Sequence, residues 1–385
     1  MKQFSIFLAA LTLLSLPSCQ ITKTYYSKDN KDWKQDATPD TGQLLYSVYL
    51  IGDVGEPSAD AQEPSLKLLQ AHLKQAGNKS SVVFLGDNIY NEGLPDSSEH
   101  DRKEMEAKIN AQLDILEGYA GRPFFVAGNH DWGYNLSEGH VERVQREDQY
   151  IERYLNRTGV FFPKNGCPGP EVLELTDSLA LLLMDSQWWL QTDVRPDCPN
   201  KTEETFMKQL AQAVQQHKDK HIIIAAHHPL ISSGPHGGYT GWKPHIFPFT
   251  IIKHHLYIPF PILGSFYSLV RAVGISKQDI RNKTYKKYIA GVKQATEGHG
   301  QVVFAAGHEH TLEYFKINKG LHQVVSGAGS KRSEIKKTKQ LGFGAHSKGF
   351  AVLNYYKDGN VWLEFWKPLN DGAQGELLFR TNLYN

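Results

Sequence analysis

Residues 82–90 read Val82-Val83-Phe84-Leu85-Gly86-Asp87-Asn88-Ile89-Tyr90. A short apolar run rich in β-branched residues suits a strand buried on both faces. This one stops at a glycine, which lets the backbone turn sharply, and the side chains that follow can bind a metal. The same grammar recurs along the chain. Residues 46–51 run into Gly52-Asp53-Val54-Gly55, and residues 124–127 into Gly128-Asn129-His130-Asp131. Residues 222–226 run into His227-His228-Pro229, and residues 302–306 into Gly307-His308-Glu309-His310. In α/β sheets, ligands bind beyond the carboxyl ends of the strands. One such ending alone is an ordinary turn or cap; five in succession point to one shared pocket.

Amphipathic stretches lie between the runs. Leu66, Leu69, Leu73 and Ala76 share one helical face, as do Met105, Ile109, Leu113 and Leu116, and then Phe206, Leu210, Ala213 and His217. That three-to-four spacing fits helices packed on one side, and the alternation argues an α/β layered core. The last eighty residues change character. Residues 324–325, 350–354 and 361–365 read as strands joined by turns such as Lys357-Asp358-Gly359-Asn360, which suggests a second, more antiparallel sheet packed on the first. Residues 237–300 interrupt the pattern with an apolar, aromatic stretch broken by Pro248, Pro259 and Pro261, read as an inserted lid-like segment.

The chain has 385 residues, 40% hydrophobic and 22% charged, with a net charge of +1. It can bury a large core, and it lacks the basic excess usual in nucleic-acid binders; no nucleic-acid partner is expected. The basic residues Lys331, Arg332, Lys336, Lys337 and Lys339 read as a solvated loop. Isolated histidines, namely His72, His100, His254, His255 and His322, read as surface or core residues.

Residues 1–19 start with Lys2, continue apolar from Phe4 to Leu16 and end at Leu16-Pro17-Ser18-Cys19. The apolar run is too short for a membrane span. It looks like a lipoprotein signal, with cleavage before Cys19 and lipid on that residue. The expected location is outside the cytoplasm, membrane-anchored in the periplasm or at the cell surface, with residues 20–41 as a tether and residues 42–385 as the folded domain. Export permits disulfides, so Cys167 and Cys198 are candidates for a bridge, against the alternative of two free thiols.

The order D-x-G, G-D-x-x-Y, G-N-H-D, a lone histidine and G-H-x-H resembles that of the calcineurin-like metallophosphoesterases. Tyr90, His236 nine residues after His227, and Val325-Ser326-Gly327-Ala328-Gly329 make the chain similar to the purple acid phosphatases of the small tartrate-resistant type. The likeness covers roughly residues 45–236 and 300–365. It departs in the long segment between His236 and Gly307 and in Val54, where the small enzymes carry an aromatic. The expected fold class is α/β, a four-layer α-β-β-α sandwich of two mixed sheets flanked by helices.

The resemblance implies two metal ions: Asp53, Tyr90 and His310 on one, Asn129, His227 and His308 on the other, and Asp87 between them. His227 is preferred to His228 because Pro229 lies two residues after it. Oxygen donors suit Fe³⁺, while imidazole and amide suit a divalent ion such as Fe²⁺, Zn²⁺ or Mn²⁺. The implied activity is hydrolysis of small phosphate monoesters by cation-activated water. His130 and His236 would position the phosphate and protonate the leaving group, and Asp131 would orient His130. Two other readings compete: a Mn²⁺- or Zn²⁺-dependent phosphodiesterase or nucleotidase, and an inactive surface-binding lipoprotein. The oligomeric state is not legible in the sequence.

Overall fold

The computed structural model describes residues 20–384 apart from 22, 37, 59–60, 134–139, 192–194, 240–244, 252–255, 262, 265 and 267–272. Cys19 and the expected signal peptide lie outside the described residues. The strands are β1 (Gln20–Ile21), β2 (Tyr25–Tyr26), β3 (Leu44–Ile51), β4 (Ser80–Phe84), β5 (Arg122–Phe125), β6 (Glu171–Thr176), β7 (Leu179–Leu183) and β8 (His221–Ala225). They continue with β9 (Val302–Ala306), β10 (Leu312–Lys316), β11 (Leu321–Ser326), β12 (Ile335–Lys336), β13 (Leu341–Ala345), β14 (Phe350–Tyr356), β15 (Val361–Leu369) and β16 (Gln374–Asn382).

Two mixed sheets pack face to face. The larger runs β2-β13-β10-β11-β9-β8-β7-β6 and the smaller β16-β15-β14-β3-β4-β5. The larger has a parallel centre, β7-β8-β9-β11, flanked by antiparallel strands; in the smaller the parallel strands β3-β4-β5 form one side, with β5 at the edge and antiparallel strands on the other side. Successive side chains alternate faces, which explains the continuous apolar runs. Val48, Leu50, Val83, Ile223, Val303 and Leu353 join one buried cluster that contains strand residues of both sheets. Ile51, Val82, Phe84, Ile222, Ile224 and Phe304 join another, shared with the helices. Helix Pro64–Ala76 buries Leu66, Leu69 and Leu73, helix Arg102–Leu113 buries Met105, Ile109 and Leu113, and helix Glu203–Gln216 buries Phe206, Leu210 and Ala213. The result is the four-layer α-β-β-α sandwich expected.

The structure corrects three expectations. The C-terminal strands do not make a separate antiparallel sheet: β10, β11 and β13 extend the larger sheet, while β14–β16 extend the smaller one. Alternation fixes which face a residue shows, not which sheet its strand joins. Residues 20–41 are built into the fold over much of their length. Strand β2 adds an edge to β13, the Tyr26 hydroxyl donates to the Leu378 carbonyl at 2.8 Å, and Trp33 is buried 6.1 Å from the Phe379 ring. Three aromatics make the segment sticky where a tether would be polar. Residues 237–300 are not wholly a lid either. Helix Lys283–Ala295 buries Tyr285, Tyr288 and Val292 in the main core, and the Tyr285 hydroxyl donates to the Pro229 carbonyl at 2.7 Å.

Cys167 and Cys198 are bonded, with Cα atoms 5.7 Å apart and a sequence separation of 31. Closing a loop of this size restricts the unfolded chain by roughly 3–4 kcal/mol. Replacing both cysteines by serine should therefore lower unfolding free energy in urea by about 2–4 kcal/mol.

Two histidines sit at the ends of β8 and β11 remote from the carboxyl ends. His221 packs 5.4 Å from the Tyr355 ring, and His322 Nδ1 lies 2.8 Å from the Tyr314 hydroxyl. Burial, with His299 adding to it, pushes His221 down to about 4; burial, with Lys316 adding to it, pushes His322 down to about 4. Their folded pKa values lie below the ordinary 6.5. The unfolded state thus takes up protons first, and stability present above that pH is lost as pH falls toward 4. Urea midpoints measured from pH 7.5 to 4.5 should fall less steeply in the His221→Gln/His322→Gln variant than in the wild type.

Candidate metal centre

The loops after β3, β4, β5, β8 and β9 meet at one end of the sandwich and bond to each other. The Asp53 N–H donates to the Gly86 carbonyl at 2.9 Å, and Gly307 N–H to the His227 carbonyl at 3.0 Å. Asp53, Asp87 and His308 adopt left-handed backbone, with φ of 57°, 53° and 67°. Each such non-glycine conformation costs about 1–3 kcal/mol and persists where the surroundings impose it. Gly86 has φ of 85°, and a Cβ there would lie 2.7 Å from Gly128 N and 2.8 Å from His227 Nδ1. No side chain fits, so this glycine is what allows the strand ends to close on one another.

Two groups of donors result. In the first, the Tyr90 hydroxyl donates to Asp53 Oδ1 at 2.9 Å and lies 3.1 Å from His310 Nε2, which is itself 3.6 Å from Asp53 Oδ1. In the second, Asn129 Oδ1 lies 3.1 Å from His227 Nε2 and 3.0 Å from His308 Nδ1, and these two nitrogens are 3.2 Å apart. Asp87 Oδ1 is 3.3 Å from His227 Nε2, and Asp53, Asp87 and His227 offer ligand atoms within 4.8 Å of one another.

The second group fits a cation on chemical grounds. His227 Nδ1 lies 2.8 Å from the Leu85 carbonyl, and His308 Nε2 lies 3.1 Å from the Gln278 carbonyl. A carbonyl only accepts, so each of these nitrogens carries its proton, and the other ring nitrogen is the one available to a metal. With the amide oxygen of Asn129, three donor atoms face a common point, and a bound cation would take the place of the proton that Asp87 otherwise holds on His227 Nε2. A positive ion satisfies that arrangement, and carbonyls holding the far nitrogens are the usual support of metal-ligating histidines. His228, next to His227, is engaged on both nitrogens, by Ser186 Oγ at 2.7 Å and Gln278 Oε1 at 2.6 Å. It therefore supports the site and leaves His227 as the inward-facing ring.

The electrostatics point the same way. Burial, together with the neighbouring Asp87, keeps Asp53 well above the usual carboxyl range, although His227 opposes this. Burial also works against ionisation of Asp87, but His227 and His130 outweigh it and hold this carboxyl well below the usual range. Burial lowers His227, yet Asp87 prevails and raises it to about 9. Burial and then Lys331 push His310 down to about 3. Of these groups, Asp87 is the one held as an anion, and it draws positive charge onto its neighbour His227.

Asp131 does not orient His130. Its carboxylate accepts from the backbone N–H groups of Asn88 at 2.9 Å, Ile89 at 3.0 Å and Gly128 at 2.7 Å. It clamps the two loops that carry Asp87 and Asn129, while His130 Nδ1 meets the Asn91 carbonyl at 2.6 Å. His130 packs edge-on against Tyr90, and His236 lies with its ring centroid 3.9 Å from that of His308.

Four residues at this site were not singled out by the sequence. The Gln278 side chain bonds His228 and its carbonyl holds His308, as described, while the same carbonyl lies 3.1 Å from His236 Nδ1. Asp279 Oδ1 is 3.5 Å from His236 Nδ1. Glu309 Oε1 accepts from Ser232 Oγ at 2.5 Å and Gly237 N at 3.1 Å, fixing the loop of His236. Lys331, expected in a solvated loop, has its ammonium 3.4 Å from the centre of the Tyr90 ring. Only Glu309 carried a signal, its place between the two histidines of G-H-x-H.

This geometry agrees with the comparisons to known proteins. The family model described as calcineurin-like phosphoesterase matches residues 46–256, and the chain belongs to that family. Its members hydrolyse phosphoester bonds and bind two metal ions. No curated protein matches the chain. Among solved structures it is similar to GAP50, the anchor in the inner membrane complex of Plasmodium, at 14% identity over 88% of this chain and 89% of that one, with a TM-score of 0.54. It is also similar to the purple acid phosphatase PPD1 of yellow lupin seeds, at 16% identity and a TM-score of 0.51 over 90% of this chain and 55% of that one. A third, PhoD, has 9% identity and a TM-score of 0.53, over 88% of this chain and 70% of that one. At these identities the likeness is one of fold.

If Asp279 acts by holding His236, Asp279→Asn should lower kcat for p-nitrophenyl phosphate about tenfold without changing metal content. The Asp279→Asn/His236→Ala double variant should then be no slower than His236→Ala alone.

Proposed function

We propose that the chain is an exported, acid phosphatase-like hydrolase of phosphate monoesters with a two-metal centre. The observation that carries this is the convergence of the Asn129, His227 and His308 donor atoms beside the buried Asp53–Asp87 pair. On this reading Asp53, Tyr90 and His310 hold one ion, Asn129, His227 and His308 the other, and Asp87 bridges them. Such ions neutralise phosphate charge and lower the pKa of bound water.

The chain's own groups complete the chemistry. His130 and His236 line the centre and are partly exposed, as residues meeting substrate must be. The Asp279 carboxylate beside His236 Nδ1 partners a protonated imidazole, which leaves Nε2–H to donate to the departing alcohol oxygen. Lys331, its ammonium over the Tyr90 ring and paired with Glu56 Oε2 at 2.7 Å, stands at the rim, where phosphate oxygens would compete with Glu56 for it. Burial and then the two carboxylates raise Tyr90 well above its ordinary value. Ionising that phenol requires a strongly acidic ion, which favours Fe³⁺ there and a divalent partner (Fe²⁺, Zn²⁺ or Mn²⁺) on the nitrogen-rich group. The Cys167–Cys198 bond and the signal-like start of the chain support export, with lipid on Cys19.

One observation favours a second reading. The Tyr90 hydroxyl donates to Asp53, as a neutral phenol does. In that case Tyr90 is a packed aromatic, and the protein is a Mn²⁺- or Zn²⁺-dependent phosphodiesterase or nucleotidase.

Asp87→Ala should lose both ions by elemental analysis, and with them activity. The wild type should show a visible charge-transfer band that disappears in Tyr90→Phe. A colourless wild type, active with Mn²⁺ or Zn²⁺ and faster on diesters, would establish the second reading instead.

A further inference from the structure

We propose that the exposed apolar side chains described between Ile246 and Ile275 form a lipid-contact surface that seats the mouth of the candidate site against a membrane; this rests on the proposed anchoring at Cys19. Among the described residues, large exposed apolar side chains number ten, and eight of them lie between positions 246 and 275. They include Tyr257, Ile258, Phe260, Leu263, Phe266 and Ile275, the last two 62% and 67% exposed. Scattered exposed apolar residues are ordinary, but this density marks an interaction surface.

The stretch is fixed to the site at both ends. His236 and Gln278, which bracket it in sequence, touch: His236 Nδ1 lies 3.1 Å from the Gln278 carbonyl. Two residues further on, Ile280 N–H donates to the His236 carbonyl at 3.1 Å. The exposed apolar side chains are therefore tied in sequence, at both ends, to residues that touch the histidine cluster.

The start of the described chain argues that the occupant is lipid. Gln20 and Ile21 pair with Lys336 and Ile335. The Lys336 N–H donates to the Ser233 carbonyl at 2.8 Å, and its ammonium lies 5.3 Å from the centre of the Tyr239 ring. Ser233 and Tyr239 flank His236, so Gln20 emerges beside the base of the apolar stretch. The 19 residues that precede it carry the apolar run from Phe4 to Leu16 and end at Cys19. Exposed Lys283, Lys286 and Lys287 lie just beyond the return at Gln278, suited to anionic headgroups. No described helix is long and apolar enough to cross a membrane. Aromatic side chains with adjacent lysines fit a surface that lies in the interface.

The test is flotation of the chain beginning at Gln20, which carries every described strand and helix but no lipid. Vesicles of phosphatidylethanolamine and phosphatidylglycerol are the probe, with Tyr257→Ser/Phe260→Ser/Phe266→Ser as the variant. The wild type should float with the vesicles, and the variant should partition at least tenfold less. Both should keep the same melting temperature and the same turnover of soluble p-nitrophenyl phosphate. A wild type that stays in the vesicle-free fraction overturns the proposal, as does a variant that floats equally well. A variant with a lowered melting temperature does so too, because it shows these side chains to be packed. A wild-type dimer that the variant disperses, without flotation, assigns the surface to a second copy of the chain.

Discussion

Two carboxylates buried side by side constrain everything around them. Asp53 and Asp87 stand at the ends of neighbouring parallel strands, and each is shut off from water. Burial disfavours the charged form of both, and like charges so placed cannot ionise together without compensation. The compensation comes from the other sheet: His227 and His308 arrive on loops after β8 and β9, and the His308 N–H donates to Asp53 Oδ2 at 2.8 Å. The face-to-face packing of the sheets is thus also the charge balance of the site. That is why left-handed backbone is tolerated at Asp53, Asp87 and His308, and why Asp131 is given over to clamping loops.

The parts of this centre that were legible in the sequence are those built by strand ends. An apolar run that stops at glycine and a polar residue encodes both a buried strand and the turn that exposes its next side chain. The candidate ligands Asp53, Asp87, Asn129, His227, His308 and His310 could therefore be placed before any coordinates were known. Gln278, Asp279 and Lys331 could not. All three lie on irregular segments with neither period 2 nor period 3.6; Gln278 and Asp279 reach the histidines where helix Lys283–Ala295 docks on the core, and Lys331 reaches Tyr90 from the loop after β11. The role expected of Asp131 failed for a related reason. Adjacency to His130 in sequence says nothing about direction, and successive residues of a turn point different ways. The split of the C-terminal strands between the sheets was hidden because inward-facing alternation reads alike in either sheet.

The insertion gives this chain something the strand ends alone do not. The ring orientation of His308 depends on which nitrogen carries the proton, and that is set by the Gln278 carbonyl, a backbone group that substitution of the side chain leaves in place. The same two-residue unit holds His228 through its amide and meets His236 through its carbonyl and Asp279. Three histidines of the site are consequently referenced to one short piece of the insertion. A displacement of that piece moves His228, His236 and His308 together, and with His308 it moves one of the three donor atoms that define the nitrogen-rich group.

The two donor groups also differ in a way that gives the centre direction. Asp53 and Tyr90 make the first oxygen-rich, with Lys331 standing over the phenol ring; Asn129, His227 and His308 make the second nitrogen-rich. Asp87 leans toward the second, 3.3 Å from His227. On the proposed reading the harder ion sits where oxygen donors collect, and the softer one where His236 and the insertion approach. The leaving group then departs on the side of His236, because that histidine has the carboxylate partner needed to keep a proton in hand. The same side carries the apolar stretch.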